Sequence, residues 1–177
     1  GQIATQHLKF PVHGDEIPDT GRDILKIVAC DRYGRNRVGV GLVHGFGLAS
    51  GAIASSVSHD AHNILAAGAS DREILRAIRE VASGDGGMVA VSGEEITMLP
   101  LECAGLMSAA PCEEVAARLA ELDVMVASLG GIPRSFMHLS FLALPVIPEL
   151  RITPRGLFDA VSLRHVDLFV TTGKKGG

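Results

Sequence analysis

Short apolar runs bounded by glycine, aspartate or asparagine dominate the first third of the chain. Their lengths of five to seven residues, together with these ends, are typical of strands rather than helices. The four predicted strands are Ile24–Cys30, Val38–His44, Gly51–Val57 and Asn63–Ala67. In the second run glycines alternate with branched side chains. One face of that strand is therefore nearly bare, and another backbone or a ligand can approach it closely.

Two later segments have helical periodicity. The first begins with a capping box formed by Ser70 and Glu73, and the second runs from about Pro111 to Leu129 with a proline in its first turn. Apolar side chains at helical spacing predict that each helix packs one face on a core. These stripes are Ile74, Leu75, Ile78 and Val81 in the first helix, and Val115, Leu119, Leu122, Val126 and Leu129 in the second.

A hairpin is predicted between the helices, where Met88–Ser92 and Glu95–Leu99 flank Gly93 and Glu94. After the second helix, residues 136–149 are apolar but contain two prolines, which an interior helix or central strand cannot accommodate. Residues 150–170 alternate enough to predict one more strand.

This order of elements is an α+β arrangement, with a mixed, largely antiparallel sheet structure and two main helices. A length of 177 residues supports one sizeable core. We predict a connecting segment at residues 1–22, one domain over residues 23–172 and a flexible tail at residues 173–177.

Composition and charge exclude several classes of protein. A hydrophobic content of 47% excludes a disordered chain, and a net charge of −4 provides little attraction to nucleic-acid phosphates. No stretch has the roughly 18 continuous apolar residues of a membrane span, and the first residues do not resemble a signal peptide. The odd number of cysteines, Cys30, Cys103 and Cys112, favours reduced thiols in a cytoplasmic protein.

The densest polar cluster is the sequence SSVSHDAHN at residues 55–63. His59, Asp60, His62 and Asn63 could supply a general acid, a base, an orienting carboxylate and an amide that reads a ligand. A simple turn between two strands explains the same residues, because Asp and Asn side chains bond their own backbone in turns. Two histidines three apart meet at one metal only in a helical turn, so we predict no metal site in this chain.

Other motifs carry less chemistry. The glycines of residues 39–47 lack both the dinucleotide-binding spacing and the P-loop sequence, and no serine-hydrolase elbow is present. The basic stretch Asp31–Arg37, which contains Tyr33, is interpreted as a solvated hairpin tip.

Four stretches together resemble the C-terminal region of the bacterial adenine deaminase family, over roughly residues 38–170. They occur in the order of that family, and two of them, SSVSHDAHN and SFLALPVIPEL, are long and specific. The stretches are Val38–Ile64, Gly86–Val91, Leu99–Ser108 and Phe136–Asp159.

The resemblance implies a member of the amidohydrolase superfamily, in which a metal-bearing (β/α)₈ barrel hydrolyses adenine to hypoxanthine and ammonia. A divalent cation (manganese, iron or zinc) would lower the pKa of the attacking water. This chain has no His-x-His metal motif and is too short for a barrel of about 250 residues, so it is expected to bind no catalytic metal and to be inactive alone. The implied partners are the catalytic barrel of the same polypeptide, adenine and further copies of the chain. Nucleic acid and membrane are not among them.

The role of this region is left open between three hypotheses. In the first, the loop reaches the barrel mouth, with His59, Asp60 and His62 as catalytic contacts and Ser58 and Asn63 as substrate-binding residues. In the second, the region is a structural or oligomerisation domain with no active-site role. In the third, it is an independent small-molecule sensor or hydrolase.

Overall fold

The computed structural model describes residues 4–12 and 17–170, which form two antiparallel sheets and three α-helices after a short 3-10 turn at Thr20–Arg22. The α+β prediction is confirmed, and these residues form no closed barrel. The elements are β1 (Ile24–Cys30), β2 (Val38–His44), β3 (Ala52–Ser55), β4 (Ile64–Gly68), α1 (Asp71–Ser83), β5 (Gly87–Ser92), β6 (Glu95–Pro100), α2 (Cys112–Ser128), α3 (Ser135–Phe141), β7 (Leu150–Thr153), β8 (Gly156–Asp159) and β9 (Arg164–His165).

The larger sheet has six strands in the order β2-β1-β4-β3-β5-β6, all antiparallel. β1 and β2 have the predicted ends, and β3 and β4 differ from the prediction only at their ends. The predicted hairpin joins β5 and β6, with Gly93 at a positive φ of 56°. Three of its five pairings, β1–β2, β3–β4 and β5–β6, join strands that are neighbours in sequence, and local patterning predicts the strands of these pairs.

Each face of the six-stranded sheet is covered by a different layer. α1 lies on one face, where Ile74, Ala77 and Val81 are buried against β3, β4 and β5. α2, α3 and the second sheet cover the other face. The predicted α1 stripe is wrong at Leu75, whose side chain is 48% exposed, because the sheet contacts only the narrower stripe that includes Ala77.

The second sheet, β7-β8-β9, packs on the bare face of β2. A Cβ atom built on Gly39 would lie 1.9 Å from the carbonyl oxygen of Thr153 and 2.6 Å from the nitrogen of Gly156. The close backbone approach expected at the alternating glycines is therefore confirmed. Glycine at this position allows the two sheets to stack.

The C-terminal third differs from the prediction in two respects. Residues 150–170 form three short strands instead of one, and α3 is a third helix that the pattern did not predict. α3 ends at Phe141, before Pro145, so the helix and the proline rule are compatible.

Part of the predicted organisation lies outside the described residues: the tail at residues 173–177 and, within the connecting segment, residues 1–3 and 13–16. The domain boundaries stay a prediction. In the part of the chain that is described, no helix has both the length and the apolar character needed to cross a membrane.

Candidate functional site

Three loops meet at one end of the six-stranded sheet because of the strand register. Cys30, the last residue of β1, pairs with Ile64, the first residue of β4. Gly87 at the start of β5 pairs with Pro100 at the end of β6. The loops of residues 31–37, 56–63 and 101–107 therefore leave the same end of the sheet. We call this group of loops the loop cluster.

The polar segment predicted to carry chemistry is a tight turn between β3 and β4. The Ser58 hydroxyl, which is fully buried, donates to the carbonyl oxygen of Asn63 at 2.7 Å, and the His62 amide donates to the Ser58 carbonyl oxygen at 2.8 Å. The Ser58 amide in turn donates to Nδ1 of His62 at 3.3 Å. Because Nδ1 accepts this bond, a neutral His62 ring carries its proton on Nε2.

His59 is held by the end of α3. Its amide donates to the carbonyl oxygen of Ser140 at 3.0 Å, and its ring lies 4.8 Å from the ring of Phe141, centroid to centroid. The centroids of the His59 and His62 rings are 6.0 Å apart. The structure therefore brings the two predicted histidines together, and both are half-buried.

The environment of His62 favours its neutral form. Burial lowers the pKa of His62 below its ordinary value, and the neighbouring side chains of His59 and Arg32 lower it further. The carboxylate of Asp60, which is exposed, acts in the opposite direction. The prevailing effect is an imidazole that is uncharged at neutral pH, and such a ring can both donate and accept a proton.

The 31–37 loop, interpreted from the sequence as a solvated hairpin tip, contributes Arg32 and Tyr33 to the same sheet end. The Tyr33 hydroxyl donates to the carbonyl oxygen of His62 at 3.4 Å, and Tyr33 is 56% exposed. The Arg32 guanidinium lies 5.5 Å from the Tyr33 ring centroid and donates to the carbonyl oxygen of Ala104. Arg32 and Tyr33 therefore belong to the loop cluster.

The 101–107 loop is fixed to the same place by a buried serine. The Ser56 hydroxyl donates to the carbonyl oxygen of Gly105 at 2.6 Å and accepts from the amide of Gly87 at 2.8 Å. Gly105 has a φ of +71°, and a Cβ atom there would lie 1.9 Å from Nη1 of Arg32. Glycine is favoured here because an L-residue with a side chain rarely adopts this positive φ.

Asn63 has a buried polar atom that makes no hydrogen bond among the described residues. The residue is 8% exposed, and its Oδ1 atom is buried with no hydrogen-bond partner among the described residues. A buried acceptor without a donor costs about 1–3 kcal/mol. The turn therefore holds an acceptor that a hydrogen-bond donor would stabilise.

The described residues do not fit a metal ion. In residues 4–12 and 17–170, no group of three or more histidine, cysteine or acidic side chains comes together to hold one. His59 and His62 supply two imidazoles, which is fewer than the three protein ligands of a catalytic zinc site. Hydrogen bonding, aromatic contact and proton transfer are the chemistry that the loop cluster offers.

These features define an α+β domain with a polar loop cluster at one sheet end and no metal-binding group among its described residues. Residues 2–164 match the family model described as the adenine deaminase C-terminal domain. The chain belongs to this family, and the resemblance stated from the sequence is confirmed.

Relatives named adenine deaminase match nearly all of this chain. The protein of Methanoculleus marisnigri is 58% identical over 169 residues, which are 96% of this chain and 33% of that protein. That of Methanoregula boonei is 55% identical over 96% of this chain and 30% of its own length. That of Brucella abortus (strain 2308) is 46% identical over 94% and 30%. The chain thus spans about a third of the length of these curated relatives.

Proposed function

We propose that this chain works as the C-terminal part of an adenine deaminase, which hydrolyses adenine to hypoxanthine and ammonia. We further propose that its loop cluster completes the purine site on the rest of the polypeptide. Support for the activity comes from the 58% identity to a protein of that name over 96% of the chain. Support for the role of the loop cluster comes from the contact between the half-buried rings of His59 and His62.

Each residue of the turn has a proposed role. His62, neutral with its proton on Nε2, would donate a hydrogen bond to a purine ring nitrogen or pass a proton to the departing ammonia. His59, held against Phe141, would contact the same ligand, and Asp60 would orient that ligand. Ser58 and Asn63 would bind substrate indirectly, since Ser58 closes the turn and Asn63 offers a buried acceptor.

We also propose a location for the metal ion of the enzyme. The resemblance implies a divalent cation (manganese, iron or zinc) that supplies activated water when bound. Because the described residues of this chain offer no matching donor set, we place the cation on an amidohydrolase barrel formed by the remaining polypeptide. The residues of this chain would then bind and orient the purine and exclude water from its surroundings.

A cytoplasmic location is also part of the proposal. Cys30, Cys103 and Cys112 are all free thiols, and two of them are exposed. Exposed thiols persist in a reducing compartment.

The test uses the intact enzyme carrying H59Q, D60N or H62Q one at a time. We expect each to lower kcat/KM for adenine by at least about tenfold, which is about 1.4 kcal/mol of transition-state stabilisation. The matched control is D85N, at an exposed aspartate after α1, which should leave kcat/KM unchanged. Three loop variants that keep the parent melting temperature and the parent kcat/KM would refute the role of the loop cluster.

Assembly is the second candidate role, and one surface favours it. α2 buries only a few of its side chains, and Val124, which is 71% exposed, lines a shallow groove between α2 and the edge strand β6. Under this alternative the loop variants keep turnover per active site, whereas V124D changes the mass of the assembly measured by light scattering.

A further inference from the structure

An open concavity of about 1820 Å³ lies beside α3, on the face of the six-stranded sheet that carries the second sheet. Its walls include residues 4–12, the end of β2 and residues 164–170. We propose that this concavity is the docking surface for the remaining two-thirds of the adenine deaminase polypeptide. The inference rests on the proposed function, because it takes that larger part as the partner.

The size and character of the concavity fit a protein surface rather than a small molecule. Pockets for small ligands have volumes of about 300–1,000 Å³, well below that of this concavity. Apolar side chains on its wall face water: Leu8 is 47% exposed, Phe169 66% and Val170 60%. Apolar groups gathered in this way mark a surface that a partner covers.

The charged side chains on the wall of the concavity indicate which kind of partner surface fits it. The exposed wall carries the cations Lys9, Arg155 and Arg164, and its carboxylates are Asp159 and Asp167. The carboxylate of Asp159 already accepts from the hydroxyl and amide of Ser162. Because the chain as a whole has a net charge of −4, this wall is basic relative to the rest. It therefore fits a partner surface that combines apolar side chains with carboxylates.

The N-terminal segment connects the larger part to this wall. Thr5 binds residues 148–150: its amide donates to the Pro148 carbonyl oxygen at 3.0 Å, and its hydroxyl donates to the Leu150 carbonyl oxygen at 2.8 Å. The matched family is a C-terminal domain, so in a full-length relative the larger part precedes this segment. A covalent connection raises the effective concentration of that part at the adjoining surface.

Docking at this wall also accounts for the position of the loop cluster. Phe141 lines the concavity and also contacts the His59 ring, with a centroid distance of 4.8 Å. A partner seated in the concavity would therefore lie one side chain away from His59. This proximity is what completion of a shared purine site requires.

The test measures maleimide labelling of L8C and L75C in the intact enzyme, with peptides resolved by mass spectrometry. Leu8 and Leu75 are matched, because they are 47% and 48% exposed and Leu75 lies on α1, away from the concavity. Each labelling rate is divided by the rate of the same cysteine in urea. We expect L8C to react at least about tenfold more slowly than L75C, because maleimide reaches a cysteine under a stable contact only when that contact opens transiently. F169C is the second concavity variant, should L8C fail to fold.

L8C and F169C that react as fast as L75C would overturn the proposal. Protection that is lost on dilution would also overturn it, because it would identify a second copy of the chain as the occupant. Labelling does not depend on turnover. Protected cysteines together with fully active H59Q and H62Q enzymes would refute the proposed role of the loop cluster and leave the docking surface supported.

Discussion

Replacement of Arg151 should destabilise the domain by about 3 kcal/mol, because each of the three carbonyl groups that it binds loses a hydrogen bond worth about 1 kcal/mol. Arg151 is the bulkiest fully buried side chain among the described residues, at 1% exposure. Its Nε donates to the Ile147 carbonyl oxygen at 2.5 Å, Nη1 to that of Phe141 at 2.9 Å and Nη2 to that of Pro148 at 2.8 Å. These bonds shape the proline-containing segment between α3 and β7.

The expected loss of about 3 kcal/mol in the free energy of unfolding is the result of two opposing contributions. Three hydrogen bonds from a charged donor would contribute about 1.5–3 kcal/mol each, but burial of the guanidinium costs several kcal/mol. R151M removes both contributions. The carbonyl oxygen of Ile147 then loses Nε as its donor, whereas those of Phe141 and Pro148 still accept from the amides of Leu144 and Thr5. For a chain of this length, a loss of about 3 kcal/mol lowers the melting temperature by about 6–12 °C.

Urea unfolding followed by circular dichroism measures the effect. R79M is the matched control, because Arg79 is exposed on α1 and lies outside the concavity. We expect R79M to stay within about 0.5 kcal/mol of the parent, and R151K to fall between parent and R151M because one ammonium cannot reach all three carbonyls. An R151M protein within about 0.5 kcal/mol of the parent would refute the reasoning.

Two further predictions concern pH and packing. The lowered pKa of His62 means that the unfolded chain binds this proton more readily, so stability should fall as the pH drops through the ordinary value of 6.5, and H62Q should reduce that fall in urea unfolding. An unchanged pH dependence in H62Q would contradict the assignment. G39A should cost about 1–3 kcal/mol in thermal unfolding, because its Cβ would meet the Thr153 carbonyl oxygen. G21A, with only a side-chain atom at 3.4 Å, is its control, and equal stabilities of the two variants would count against this packing.

The first two strands could be predicted to the residue because their determinants are local. Ile24–Cys30 and Val38–His44 are apolar runs ended by polar residues, and the two strands pair through a short connection. The glycines of β2 even indicated a close neighbour, although they could not indicate which backbone it would be. The β7–β8 hairpin that fills this space lies more than a hundred residues away in sequence.

Short elements in the C-terminal third could not be predicted in the same way. β9 has two residues and β8 has four, too few for a hydrophobic period to be seen. Their pairing depends on the face of β2 that they cover. α3 is seven residues long and begins at a buried serine, and its helical form is stabilised by contacts with β3 and β4.

The sequence predicts the residues of the 56–63 loop in the candidate site, but not those of the other two loops. His59, Asp60, His62 and Asn63 stand together because they share one turn, and a local cluster of this kind can be found without a structure. Arg32 and Gly105 could not be assigned to it, because the strand register brings their loops to the same sheet end from distant parts of the chain. A glycine that meets an arginine across about seventy residues leaves no local signal.

Contact between the loop cluster and the purine is tested most directly by protection of His59 from diethylpyrocarbonate in the intact enzyme, measured by mass spectrometry with and without saturating hypoxanthine. A histidine introduced on α1 by L75H, where Leu75 is 48% exposed and outside the concavity, serves as the internal reference. We expect hypoxanthine to slow modification of His59 at least about tenfold, equivalent to about 1.4 kcal/mol, and to leave the rate at position 75 unchanged. Equal rates of His59 modification in the free and the saturated enzyme would contradict this contact.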